Sequence, residues 1–214
     1  MGLNVYGHVI TPATQRVLAC LSEKELEFEL VQLNMAAGEH NKEPFLSLNP
    51  FGVVPAMEDG DLTLFDSRAI VKYIEQAYKD KKPLASDDPK KMGPVYSWLE
   101  AESLQFDPAA IMLTFHLCIA PMMGLPTDEA VVEEKEAKLG KVLDVYEDRL
   151  SESKYLGGDS FTMVDLFHLP NVNYLMGTKV RALFEARPHV KAWVDDILAR
   201  PSWAKVVAMI KSQS

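Results

Sequence analysis

At 214 residues, 48% of them hydrophobic, the chain is long enough to bury a core without covalent staples. Its formal net charge of −9, from 22 basic and 31 acidic side chains, opposes a nucleic-acid partner, and its two cysteines, Cys20 and Cys118, give no disulfide framework. The start MGLNVYGHV lacks the basic and apolar regions of an export signal, and no later window approaches about 18 uncharged apolar residues, so a cytoplasmic protein without membrane association is expected.

The stretch LNVYG (3–7) predicts a first strand. TPATQRVLACLSEK (11–24) predicts a helix with Pro12 in its first turn and Ala13, Val17, Cys20 and Leu21 on one side. Thr11 stands at its N-cap, where a hydroxyl accepts from a backbone N–H; the same hydroxyl at a positive helix end can instead donate to a bound anion such as a thiolate. A second strand follows in FELVQL (28–33). HNKEPFLSLNPFG (40–52) carries at most a short helix, stopped by Asn49-Pro50 and Gly52. VVPAMEDGDLTLF (53–65) reads as a hairpin with a type I′ turn at Asp59-Gly60. Pro55 inside its first strand points to an edge, a bulge or a cis bond, and a freed edge could pair with an extended peptide ligand. SRAIVKYIEQAY (67–78) predicts a helix behind a Ser67 cap, with Ile70, Tyr73, Ile74 and Ala77 on one face.

The order βαβαββα predicts a thioredoxin-like α/β domain over residues 1–78. The Pro- and charge-rich segment 79–91 reads as a linker, and residues 92–214 as an all-helical domain. In that domain Leu139, Leu143, Tyr146 and Leu150 form one core-facing stripe, and Val190, Trp193, Val194, Ile197 and Leu198 another. FTMVDL (161–166) carries a capping box, with Thr162 and Asp165 bonding each other's backbone and Phe161 and Leu166 as the hydrophobic staple; Asp165 is read as structural rather than as a catalytic acid.

The absence of CxxC, GxSxG, P-loop and GxGxxG patterns removes dithiol, serine-hydrolase and nucleotide chemistry. His8, His40, His116, His168 and His189 show no metal-ligand spacing, so no metal is expected. Any nucleophile must come from a bound small molecule. An anion site at Thr11, backbone N–H groups at Ser67 and a freed backbone near Pro55 suit a short acidic peptide carrying a thiol.

GEHNKEPFLSLNPFGVVPAMEDGDLTLFDSRAI (38–70), with GHVITPATQRV (7–17) before it and GDSFTMVDLFHLP (158–170) after it, resembles the cytosolic glutathione transferases, most closely the plant phi class. The resemblance runs over essentially the whole chain. It implies glutathione as cosubstrate, a hydrophobic small-molecule electrophile and a homodimer. It puts Thr11 where the family has a catalytic serine, His40 at the glycyl end of glutathione, and Val54 at its cysteinyl backbone ahead of a cis Pro55. Asp66 and Ser67 match the pair that holds the γ-glutamyl group, and Phe51 the aromatic that enters the partner subunit. Four positions depart from the pattern: Thr for Ser at Thr11, Asn for Lys at Asn41, Val for Gln at Val53 and Asp for Glu at Asp66, with Lys42 in reach of the role lost at Asn41. Ile10, Met35, Phe115, His116 and Met123 are candidates for the electrophile pocket, expected where the two domains meet. Two other readings stand beside conjugation: a low-turnover carrier of aromatic or flavonoid-like ligands, and glutathione-dependent reduction of hydroperoxides.

Overall fold

The computed structural model describes residues 2–212, and these divide into two compact units. The first contains the residues up to Pro83 together with those from Pro201 onward; the second is Leu84–Arg200.

In the first unit β1 (Leu3–Gly7), α1 (Pro12–Glu23), β2 (Phe28–Gln32), α2 (Phe45–Leu48), β3 (Ala56–Asp59), β4 (Leu62–Phe65) and α3 (Ser67–Ala77) follow in order. The sheet runs β2-β1-β3-β4, with β1 parallel to β2 and antiparallel to β3, and β3 antiparallel to β4. This is the thioredoxin-like order expected from the sequence. Leu3 and Val5 alternate inward along β1, and they join a core with Val17, Leu18, Leu21, Ile70, Val71 and Ile74.

The hairpin turn lies one residue later than predicted. Asp59 pairs with Leu62, so Gly60 and Asp61 form the loop. Of these only Gly60, at φ +64°, has a positive φ, the pattern of a type II′ rather than a type I′ turn. Pro55 lies outside the strand, because β3 begins at Ala56 and is paired on both sides. The expected open edge is therefore not along β3.

The C-terminal end of α1 is tied to α3 by a lysine with no solvent exposure. Lys24 Nζ donates to the carbonyls of Tyr78 (3.2 Å) and Lys81 (2.8 Å) and pairs with Glu75 at 2.7 Å.

The second unit is helical: α4 (Pro89–Ala101), α5 (Asp107–Thr114), α6 (Ala120–Met122), α7 (Glu129–Glu152), α8 (Met163–Leu175), α9 (Arg181–Glu185) and α10 (Pro188–Leu198). Two π-helical turns, Glu102–Phe106 and Phe115–Ile119, join the first three into one run. This run, Pro89–Met122, is long, with a stretch of mean hydropathy 1.2, but it is interrupted by polar and charged side chains such as Gln105, Asp107 and His116, so it holds no stretch of 18 uncharged apolar residues. Its α5 segment packs on α7 and α8.

Leu139, Leu143, Tyr146 and Leu150 are buried as the stripe requires, as are Val190, Trp193, Val194 and Ile197; Leu198 is half-buried. Thr162 and Asp165 form the capping box of α8. The Asp165 carboxylate, without solvent exposure, accepts from the N–H of Thr162 (2.9 Å) and Leu156 (3.2 Å) and from the Trp193 indole (3.0 Å). Burial pushes this carboxyl up to about 6, against the pull of those donors.

The chain's last helix, α11 (Pro201–Lys211), belongs to the first unit. It packs on α1, where the Ser202 hydroxyl donates to Glu23.

Candidate active site

Thr11 occupies the N-cap position of α1 with an extended backbone (φ −82°, ψ 129°), and Pro12 opens the helix. Its side chain makes no capping bond, so the capping role open to it in the sequence is not taken up. The Oγ1 instead donates inward, 2.9 Å to the His8 carbonyl and 2.7 Å to Thr14 Oγ1. The Thr11 N–H also donates to the His8 carbonyl, at 2.9 Å. His8 Nδ1 accepts from the Ile10 N–H at 3.3 Å, and partial burial lowers the imidazole's pKa.

At the start of α3 the cap is Asp66 rather than Ser67. Asp66 Oδ1 accepts from the N–H groups of Arg68 and Ala69, both at 3.0 Å, and its backbone sits at φ +66°, a left-handed conformation uncommon outside glycine. Ser67 is the first helical residue and is buried, and the Arg16 guanidinium, itself 3% exposed, donates to its Oγ at 2.7 Å. Because Arg16 can only donate, it takes an acceptor site on Ser67 and leaves the hydroxyl proton for another partner. The residues singled out in the sequence did not include Arg16. A lone arginine at Arg16, between Gln15 and Val17 of an amphipathic helix, gives little sign that it will be buried.

Along the chain between β2 and β3 two loops meet. His40 and Asn41 lie in the 3₁₀ turn Glu39–Asn41, where Asn41 Nδ2 stands 2.9 Å from His40 Nε2. With Nε2 accepting, the proton is on His40 Nδ1, an atom buried without a hydrogen-bond partner among the described residues. Lys42 Nζ donates to the Ala37 carbonyl at 2.8 Å on the same loop.

Opposite them, buried Asn49 shapes the second loop. Its Nδ2 donates to the Val53 carbonyl (2.6 Å), and its Oδ1 accepts from the Phe51 N–H (3.1 Å). Gly52, at φ +62°, closes this loop against Asn41. The Val54–Pro55 bond is cis, and Val54 lies just ahead of the β3 ladder and outside it. Phe51 is 74% exposed and Val53 58%, with the Phe51 ring edge-on to Phe65 at 5.8 Å.

The five pocket candidates are distributed over both units. Ile10 and Met35 are half-buried in the first. In the second, Phe115 and Met123 are 37% and 62% exposed. His116 there is held structurally: its ring stacks edge-on to Phe115 at 5.3 Å, its Nδ1 accepts from the Asp128 N–H, and its carbonyl accepts from Thr127. Among the described residues no group of three or more His, Cys, Asp or Glu side chains is placed to hold a metal ion. Both cysteines are free thiols, Cys20 buried and Cys118 half-buried.

Residues 1–76 match the family model for the glutathione S-transferase N-terminal domain, and residues 106–201 that for the C-terminal domain. A glutathione S-transferase of Hyoscyamus muticus is 61% identical over 97% of this chain and 98% of its own length. Glutathione transferase F7 of Populus trichocarpa, a solved structure, superposes with a TM-score of 0.93 at 45% identity, covering 96% of this chain and 98% of that one. Glutathione S-transferase I from mais, solved in complex with an atrazine glutathione conjugate, superposes with a TM-score of 0.91 at 40% identity over the full length of both chains.

Proposed function

We propose, from the premise that the chain belongs to the glutathione S-transferase family and to its plant phi class, that Thr11 is the donor that holds the glutathione sulfur as a thiolate. As a glutathione transferase it joins that sulfur to an electrophilic carbon. The thiol releases its proton to solvent, the thiolate forms the new C–S bond, and the leaving group departs with its electron pair. A free thiol ionises near about 8.5, so it needs stabilisation to be reactive at neutral pH. The observation that carries this reading is the Thr11 hydroxyl: half-buried at the start of α1, it is not spent on capping and needs only to exchange its inward acceptors for sulfur.

The remaining contacts extend the proposal along the peptide. Ser67, with its proton left available by Arg16, and the second oxygen of Asp66 receive the γ-glutamyl carboxylate and ammonium. The Val54 backbone ahead of Pro55 pairs with the cysteinyl unit. His40, on the turn it shares with Asn41 and beside Lys42, takes the glycyl carboxylate. Val53 offers no side-chain hydrogen bond and contributes only its backbone. Ile10 and Met35, and separately Phe115, His116 and Met123, offer apolar or aromatic surface to a hydrophobic electrophile. Exposed Phe51 is the proposed anchor of a homodimer. The cytoplasm is the proposed compartment, where two free thiols persist.

Conjugation of glutathione to chlorodinitrobenzene, measured beside glutathione affinity, tests the reading. Thr11→Ala is expected to lose most of kcat and to bind glutathione and an aromatic dye nearly as before. Unchanged turnover would refute Thr11 as donor, and no turnover in the native protein would favour ligand carriage.

A further inference from the structure

We infer that Thr14 is a positioning residue for the thiolate, acting through Thr11; this rests on Thr11 being the thiolate donor. Thr11 has one hydroxyl proton, and in this structure two acceptors compete for it, the His8 carbonyl at 2.9 Å and Thr14 Oγ1 at 2.7 Å. To donate to sulfur, Thr11 must withdraw that proton from both. The two acceptors respond differently to its withdrawal. A carbonyl can only accept, so its bond from the Thr11 hydroxyl is lost while the Thr11 N–H stays on it. A hydroxyl both accepts and donates, so the Thr11–Thr14 bond can reverse, with Thr14 donating to Thr11 Oγ1 while Thr11 donates to sulfur. The pair stays bonded, and Thr11 becomes the middle of a chain of like-directed hydrogen bonds, which strengthens its donation.

Two further features suit Thr14 to this task. It has no solvent exposure, whereas Thr11 is half-buried, so it reaches a ligand only through Thr11. Its hydroxyl occupies space that only a glycine at position 7 leaves open, because a Cβ on Gly7 would lie 2.4 Å from Thr14 Oγ1 and 3.0 Å from its Cγ2. The glycine at the end of β1 thus gives the hydroxyl its seat. Arrangement and chemistry together make position 14 a hydroxyl requirement rather than a volume requirement.

The test is the pH profile of kcat/KM with glutathione and chlorodinitrobenzene for the native protein and for Thr11→Val, Thr14→Val, Thr14→Ser and Gly7→Ala. The lower pKa of the native profile reports the bound thiol. Thr11→Val is expected to raise it by about two units and Thr14→Val by about 0.5–1, whereas Thr14→Ser stays within about 0.3 of native. Gly7→Ala, which displaces the Thr14 hydroxyl without removing it, shifts in the direction of Thr14→Val. If Thr14→Val leaves the profile where it is while Thr11→Val moves it, the Thr14 proposal is overturned and the Thr11 reading survives. Equal shifts in Thr14→Val and Thr14→Ser overturn it in favour of packing. An unmoved Thr11→Val profile removes both.

Discussion

Gly52→Ala perturbs the wall formed by the two loops, which carries the proposed glycyl contacts of His40 and Asn41, and leaves the proposed thiolate donor Thr11 in place. The added Cβ would lie 2.7 Å from Asn41 Oδ1, 3.2 Å from the His40 carbonyl oxygen and 3.6 Å from Leu46 Cδ2. The Asn41 amide can swing away, giving up its 2.9 Å contact with His40, for about 1 kcal/mol. The left-handed backbone at φ +62° adds about 1–2 kcal/mol for an L side chain. The His40 carbonyl is backbone, so it moves only with the whole Glu39–Asn41 turn, and that turn carries the proposed glycyl contacts. Of about 2–3 kcal/mol in total, half appearing in binding would raise the Kd for glutathione about tenfold. Calorimetric titration with glutathione, beside urea denaturation, separates the two parts. Turnover at saturating glutathione should change little, because Thr11 sits on another segment. A Kd within about twofold of native together with a loss of about 2–3 kcal/mol in stability would refute the assignment of this wall to glutathione.

Lys24→Met leaves Glu75 and the carbonyls of Tyr78 and Lys81 without their cation in a buried setting, and should cost about 3–5 kcal/mol. Adding Glu75→Met should recover part of this, and a coupling below about 0.5 kcal/mol in the double-mutant cycle would contradict the ion pair's role. Asp165 gives a pH signature. With its folded carboxyl raised from 3.8 to about 6, the folded chain keeps a proton that the unfolded chain has already released. This group's stabilisation is therefore full below the lower value and is lost as pH rises through the upper one. From pH 5 to 7.5 the native protein should lose about 1–1.5 kcal/mol relative to Asp165→Asn in urea denaturation. Parallel curves would contradict it.

Much of the fold was legible in the chain because local chemistry and tertiary role coincide. Pro12 after Thr11, the alternation in LNVYG and the Thr162–Asp165 spacing each fix a local geometry that survives packing. Where packing decides, the sequence is silent. Asp66 and Ser67 are both good caps, and a positive φ at Asp66 moves the helix start by one residue. Gly60-Asp61 rather than Asp59-Gly60 turns the hairpin because the β3–β4 register places Asp59 opposite Leu62. Nothing local marks Arg16 and Lys24 for burial; their partners Ser67 and Glu75 come from α3, which packs on α1. The functional ambiguity at Thr11 had the same origin. Whether a hydroxyl caps its helix or faces a ligand depends on a side-chain torsion, and here the His8 carbonyl and Thr14 draw it away from the cap.

Thiolate stabilisation by Thr11 is tested most directly by a pH titration of the thiolate absorbance of glutathione bound to the native protein and to Thr11→Ala. The bound thiol should ionise about two units below the free value near 8.5, equivalent to about 2.7 kcal/mol of thiolate stabilisation, and should return toward the free value in the variant. Glutathione that binds the native protein without such a depression, or a depression that Thr11→Ala leaves intact, would contradict that role.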